Sequence, residues 1–495
     1  MQSMVGPRAR EIAIDAAVAA LVVGLFLGLL VASDRVATGS NPDQWFHFAI
    51  SRMSQQGLVR TLPQAEDLGW GVGFPEKEFL FHRLTALAYG MGGENAVVLA
   101  CRAVSVASLV LLYWLARRTA GRVVAAASVA GLVVANPYLL FRLGMVRPHV
   151  LAIFLLLAIA AALLLRSRFL GFAAGATFAL AYHAVYLPAV LALAFGIVAL
   201  YRRATPGEPD DGAFAASALV LAGLACGVVA NPYFPANVTM GLEHLGFAFS
   251  ASASLPGVHV GAEVLPMAPG KYLRLFGVAL LAAIASAVWL RRDAAGGEPP
   301  WNRAVLTVAA LFLVGAGLRS VRATEYGLPL LALAVAAALG DARRSARTRA
   351  IAVVALLLLP AGPLLAHLSR TPDRRNEQLV KDLFAAIAAI PPEAGGAKVF
   401  ACDWNYGSFL LYARPDLRFV DLLDPRFLLV NPELFETKRL LDLDESPDPA
   451  GTMRAAFDAD YALCANPALG QRLEHDRRVR LMFASRSGLR LYALP

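Results

Sequence analysis

The chain has 495 residues, of which 58% are hydrophobic and only 16% charged, and its mean hydropathy is +0.57. That balance excludes an ordinary water-soluble enzyme, and the recurrence of long apolar runs excludes disorder and collagen-like structure. The formal charge is +9, yet Pro372 to Pro495 holds 16 basic against 18 acidic residues, so the excess lies in the apolar part, 29 against 18. A basic excess between apolar runs serves to orient membrane spans, and it predicts no nucleic-acid partner.

The first apolar stretch, about Ala16 to Ala32, follows Arg8 and Arg10 and lacks a small-residue cleavage site. It reads as a retained helix with a cytoplasmic N-terminus. Further stretches of spanning character lie near Ala96 to Ala116, Val123 to Ala135, Val150 to Leu165, Phe169 to Tyr182 and Tyr186 to Leu200. They continue near Phe214 to Ala230, Leu275 to Leu290, Ala304 to Leu318, Tyr326 to Leu339 and Ile351 to Leu365, giving about eleven transmembrane helices. Arginine clusters fall at every second turn: Arg117, Arg118 and Arg122; Arg166 and Arg168; Arg202 and Arg203; Arg291, Arg292 and Arg303; and Arg343 to Arg349. By the positive-inside rule these turns are cytoplasmic. An odd number of spans then places the outer loops 34–95 and 232–272 and the C-terminal region on the opposite side, which makes a multi-pass protein of the inner (cytoplasmic) membrane. All eight histidines fall on or near that outer side.

After the last span, a polar run from Ser369 to Asn376 separates a membrane domain, 1–368, from an extracytoplasmic domain, 372–495. Helical apolar spacing covers Glu377 to Ile390. Short β-like runs follow at Lys398 to Cys402, Leu417 to Leu422, Tyr461 to Cys464, Val479 to Ala484 and Leu489 to Leu494, so this domain reads as a small α/β fold. Cys402 and Cys464 share the outer compartment and can pair, but both sit in strand-like runs where buried free thiols are common. An internal echo, Val133 to Tyr138 and Val228 to Tyr233, carries Asn-Pro-Tyr each time and marks helix ends on the outer side.

Candidate chemistry concentrates on that side. Asp43 follows the first span in Asn41-Pro42-Asp43-Gln44-Trp45-Phe46-His47, and a carboxylate beside hydrocarbon is costly unless solvated, paired or metal-bound. Trp45 and Phe46 suit the aromatic belt of the membrane surface. Later in the same loop, Glu78 and His82 share a helix face at i, i+4, a pair that can bind a divalent cation or move a proton; the spacing equally suits a solvated pair. Arg147, Arg319 and Arg322 lie on the side the positive-inside rule disfavours, together with Arg142 and His149, and guanidinium forks there match a lipid phosphate. Glu325 is spaced to pair with Arg322. The loop His259 to Pro266 adds Glu263. No P-loop, HExxH or GxSxG motif occurs.

Asp43 after the first span, a long first outer loop, about eleven spans and a trailing outer α/β domain together resemble the GT-C class of integral-membrane glycosyltransferases, oligosaccharyltransferase catalytic subunits and their bacterial relatives in particular. Asp403-Trp404-Asn405-Tyr406-Gly407 is similar to the Trp-Trp-Asp-Tyr-Gly element of those enzymes, with Asp403 in place of the first Trp and Asn405 in place of the acid. The resemblance implies a polytopic α-helical GT-C-like fold and a catalytic role for Asp43. The expected reaction is transfer of a sugar or glycan from a polyprenyl-phosphate-type lipid donor at the outer leaflet to an acceptor glycan, lipid or protein. Arg147, Arg319 and Arg322 are then the expected lipid-phosphate ligands. His47, His82, His149, Trp404, Asn405 and Tyr406 are the expected donor- or acceptor-binding residues, and Asp43 with Glu263 the expected ligands of a divalent cation, Mg or Mn. The alternative is a non-catalytic transporter or binding protein for lipid-linked saccharides.

Overall fold

Apolar runs of the predicted length fold as helices throughout the described part of the chain, which in this computed structural model comprises residues 7–34, 41–204, 212–249, 256, 258, 260–261, 265–292, 300–340, 344–370 and 374–495. The helices begin with α1 (Pro7–Asp34), α2 (Asp43–Ser54), α3 (Phe79–Thr119), α4 (Arg122–Val129) and α5 (Pro137–Leu143). Next come α6 (Pro148–Leu164), α7 (Arg168–Ala181), α8 (Tyr186–Arg203), α9 (Ala213–Ala230) and α10 (Ala236–Phe249). They are followed by α11 (Pro269–Arg292), α12 (Pro300–Ala310), α13 (Thr324–Gly340), α14 (Ala346–Leu358) and α15 (Ala361–Leu368). Among the described residues, seven helical segments are long and apolar enough to cross a membrane. The stretch expected as one span from Val123 is instead a pair, Arg122–Val134 and Pro137–Leu143, bent by 82°. The bend falls at Asn136-Pro137, because Pro137 has no amide to donate and Asn136 caps the new helix by accepting from Leu139 N at 3.0 Å. Three further apolar helices, Pro148–Leu164, Arg168–Ala181 and Arg303–Ala316, are shorter.

The chain divides into two compact units. One comprises Met1–Val36, Leu99–Pro232 and Pro266–Thr371; the other comprises Ala37–Val98, Tyr233–Leu265 and Pro372–Pro495. In the first unit, α13 is almost entirely buried. Beyond Thr324 and Glu325 in its first turn its sequence is apolar all round, as suits a central helix. Helices α7 and α9 meet backbone to backbone through Gly171, Gly175, Gly223 and Gly227, small residues four apart on each helix. A methyl group added at Gly223 would stand 2.2 Å from Phe172 O, and one at Gly175 would stand 2.5 Å from Val220 O. Between apolar helices in lipid, such close approach supplies the dispersion contacts that hold a pair together.

In the second unit the C-terminal segment contributes α16 (Arg374–Ala388), β1 (Lys398–Ala401), α17 (Asn405–Ala413), β2 (Arg418–Phe419) and α18 (Pro432–Asp442). It continues through α19 (Pro449–Phe457), β3 (Tyr461–Cys464), α20 (Pro467–His475), β4 (Arg480–Ala484) and β5 (Arg490–Ala493). All five strand-like runs of the sequence form strands of one sheet, in the order β2-β1-β3-β5-β4. β1 pairs in parallel with β2 and β3, whereas β5 is antiparallel to both β3 and β4. Cys402 and Cys464, just past β1 and ending β3, are disulfide-bonded with their Cα atoms 5.0 Å apart. Segments from earlier in the chain complete this unit's core: Phe46, Ile50, Leu62, Trp70 and Met240 share it with Phe400, Leu410 and Leu463.

Candidate functional site

Asp43 opens α2, where a carboxylate is favoured by the partial positive charge of the helix N-terminus. His47, one turn later, lies on the same face, and both side chains are buried. The other face of α2 binds it in place. Trp45 packs edge-on against Phe384 and at a tilt against Tyr412, each with ring centroids 4.9 Å away, and at a tilt against Phe409 at 5.7 Å. Arg52 donates to Tyr412 O at 2.8 Å. Trp45 is therefore a packing residue of the second unit. The partner helix α17 begins at Asn405, so the Asp-Trp-Asn-Tyr-Gly element and the Asp43 helix are directly packed in one unit.

Within the same unit, His47 Nδ1 faces His82 Nε2 at 2.9 Å. The Glu76 carboxylate accepts from His82 Nδ1–H at 2.9 Å and from the Glu78 backbone N–H at 2.8 Å. That assignment leaves Nε2 of His82 as the lone-pair nitrogen turned toward His47. Phe46 and Phe81 lie edge-on to the two imidazoles, with centroids 5.4 to 5.9 Å apart, and give the cluster an apolar wall. Behind it, Ser51 Oγ and Thr85 Oγ1 are 2.7 Å apart and tie α2 to α3.

His47, Glu78 and His82 each offer one ligand atom, all within 4.8 Å of one another and all buried. Two imidazoles and one carboxylate are a donor set for zinc-like or manganese-like divalent cations, and a carboxylate behind one imidazole is the usual way such a ligand is oriented. The residues therefore fit a divalent cation. Glu78 and His82 were legible as an i, i+4 pair; His47, from a different helix, and Glu76, as the group orienting His82, carried no such signal. Asp43 stands one turn before His47, while Glu263 lies outside the described residues.

In the first unit, Arg142 and Glu325 form a fully buried ion pair, with Nε to Oε1 at 2.6 Å. Tyr138 OH donates to the same carboxylate oxygen at 2.9 Å. His149 donates from Nε2 to Arg142 O at 2.9 Å, and Arg142, Arg147 and Arg322 all lie within electrostatic reach of its ring. Glu325 is thus the partner of Arg142 from α5, not of its near neighbour Arg322 alone, because the bend at Asn136 turns α5 toward α13. Arg142, Arg147 and Arg322 thus gather around one ring, with the Glu325 carboxylate paired to the first of them. Arg319 is partly buried just before the turn Val321–Ala323. His149 is fully buried in this unit, apart from the histidines of the trio.

Of the tail residues, Trp404 and Asn405 are partly exposed, but Tyr406 is buried, and burial pushes its hydroxyl well above the ordinary tyrosine range. Asn405 donates from N and Nδ2 to Asp403 Oδ1 at 2.9 and 2.7 Å, which closes the start of α17. Beyond β2, Asp421 is fully buried with Lys438 at 3.5 Å, and Lys438 also binds Asp442 at 3.0 Å. Burial raises the Asp421 carboxyl from 3.8 to about 6.

No family model and no curated protein sequence matches the chain. Solved structures do. ArnT from Cupriavidus metallidurans bound to undecaprenyl phosphate superposes with a TM-score of 0.58 at 14% identity, covering 97% of both chains. The same protein in the apo state gives 0.56 at 15% identity, over 99% of this chain and 98% of that one. The Archaeoglobus fulgidus oligosaccharyltransferase in complex with Zn and sulfate gives 0.53 at 13% identity, over 89% of this chain and 67% of that one. At such identities the likeness is one of fold. The chain has a GT-C-like fold, a polytopic α-helical membrane protein with a small C-terminal sheet-containing region.

Proposed function

We propose that the protein is a membrane glycosyltransferase that moves a sugar or glycan from a polyprenyl-phosphate-type lipid to an acceptor at the outer leaflet, with the C-terminal domain on that side. The observation that carries the reading is the placement of buried Asp43 one helical turn from the His47–Glu78–His82 trio. Asp43 orients the acceptor hydroxyl or amide and takes its proton as the new bond to the anomeric carbon forms. The lipid phosphate departs with the bonding electrons of the old C–O bond. Arg147, Arg319 and Arg322 compensate that charge, and the gathering of Arg142, Arg147 and Arg322 around His149 supports such a role. A divalent cation, held by His47, Glu78 and His82 when bound, would add Lewis-acid stabilisation of phosphate oxygens. The support from the solved structures is at the level of fold, to which the bound undecaprenyl phosphate of ArnT adds the class of lipid.

The test is transfer from a polyprenyl-phosphate sugar in reconstituted vesicles, read by product mass. Wild-type protein forms a new glycosidic bond, and Asp43→Asn loses at least 100-fold in rate at unchanged expression, the size expected for a lost general base. Full activity of the variant would overturn the role of Asp43. Movement of the lipid-linked sugar across the vesicle without any new bond would overturn the enzyme in favour of a transporter.

A further inference from the structure

Helix α3 runs for 41 residues, and its backbone leaves helical geometry at Gly92-Gly93, where Gly93 has φ 63° and ψ −149°, a conformation that residues with a Cβ avoid. It is therefore two helices in line. Among the described elements α3 alone has residues in both units, because Ala37–Val98 belongs to the second and Leu99–Pro232 to the first. Each half is fastened within its own unit. Before the break, Thr85 meets Ser51 at 2.7 Å, Arg83 donates to Ser54 O at 2.6 Å and Gln55 donates to Ala86 O at 3.4 Å. Beyond it, Arg102 pairs with Asp34 at 2.5 Å and Ser105 donates to Leu143 O at 2.7 Å. No atom lies within 4 Å of the place a Cβ would take on Gly93, so the backbone there has room to turn.

One set of side chains ties the two sides of the break together. Glu94, the residue after Gly93, accepts at Oε1 from Tyr89 OH at 2.9 Å and from Tyr412 OH. Tyr89 stands in the last turn before the break, and Tyr412 in the last turn of α17, where Trp45 and Arg52 of the Asp43 helix meet it: Trp45 with ring centroids 4.9 Å apart, Arg52 with its guanidinium 5.3 Å above the ring. We propose that Gly92-Gly93 is a hinge between the two units and that Glu94, held by Tyr89 and Tyr412, is the latch that keeps it closed. The second unit carries Asp43 and the His47–Glu78–His82 trio, and the first carries Arg147, Arg319 and Arg322. Turning at the hinge shifts one set relative to the other. On the glycosyltransferase reading, on which this purpose rests, the shift admits the lipid-linked donor and lets the spent lipid phosphate leave.

Distances between nitroxide pairs, measured by double electron–electron resonance on the full-length protein in nanodiscs of phosphatidylethanolamine and phosphatidylglycerol, test this. The exposed thiol is first removed by Cys226→Ser. Labels at Val72→Cys in the second unit and Phe169→Cys in the first, exposed by 93% and 84%, report on the hinge; Val72→Cys with Leu481→Cys is a control pair inside the second unit. Tyr412→Phe and Glu94→Gln each weaken the latch. Either is expected to raise the ratio of open to closed distances in the first pair about tenfold, the effect of losing roughly one charge-assisted hydrogen bond, and to leave the control pair unchanged. Gly93→Ala, whose Cβ disfavours the closed backbone angles, shifts the first pair the same way. A first pair unmoved in all three variants overturns the proposal. So does equal broadening of both pairs, which makes Glu94 a fastening of the whole unit. Should Glu94→Gln fail to fold, Tyr412→Phe removes a single hydroxyl and gives the same reading. A latch-dependent first pair in a protein without transfer activity supports the hinge and refutes the glycosyltransferase; transfer activity with an unresponsive first pair does the reverse.

Discussion

Replacing Glu76 probes the trio without touching a ligand atom. Its carboxylate receives two hydrogen bonds, from His82 Nδ1 at 2.9 Å and from the Glu78 amide at 2.8 Å, and it is buried. Glu76→Gln keeps the shape and one acceptor oxygen, for His82, but removes the charge and turns an NH2 group toward the Glu78 amide. The difference between a charge-assisted and a neutral hydrogen bond is about 1–1.5 kcal/mol, which corresponds to roughly tenfold weaker cation binding. Glu76→Ala removes both bonds and frees the His82 ring to turn, so the loss approaches ~100-fold, the upper end for such supporting groups. Glu78→Ala, which deletes a ligand, exceeds both. Isothermal titration of the purified, chelator-treated protein with zinc and with manganese measures all three, with thermal unfolding as the check that each variant is folded. Equal affinity for wild type, Glu76→Gln and Glu76→Ala would refute the assignment of Glu76 as the group that orients His82. Absence of stoichiometric binding by the wild type would refute the trio as a cation site.

Two predictions concern the fold. Gly223→Ala places a methyl 2.2 Å from Phe172 O and forces α7 and α9 apart, whereas Gly24→Ala meets nothing within 4 Å. Thermal unfolding in detergent should show the first destabilised by about 1–3 kcal/mol and the second unchanged or stabilised by up to ~1 kcal/mol, and equal responses would contradict backbone contact between α7 and α9. In the second unit, the Asp421 carboxyl at about 6 lies above its unfolded value of 3.8, so the folded state binds the proton more tightly and this group's contribution to stability falls as pH rises from about 4 to about 6. The gap is worth ~3 kcal/mol at 1.36 kcal/mol per pH unit. Lys438→Met strips the buried anion of its cation and should cost about 3–5 kcal/mol at pH 7.5 but markedly less at pH 5, where Asp421 is protonated; a cost independent of pH would refute the pairing.

Composition and local period determined much of this protein. Apolar runs long enough to span demand helices, because lipid offers no partner to an unpaired backbone group. Alternation in the tail marked all five strands, and i, i+4 spacing marked Glu78 with His82, since both patterns are written within a few residues. What the sequence could not settle were choices among distant candidates that look alike locally. Whether Trp45 meets lipid or Phe384, whether Glu325 meets Arg142 or Arg322, whether Cys402 pairs with Cys464, and which histidine completes the pair on α3 all depend on which surfaces pack together. Residues 47 and 82 become neighbours only because α2 is pressed against the start of α3 and against α17. That packing is decided by the summed burial of many side chains, and no short stretch of sequence contains the sum.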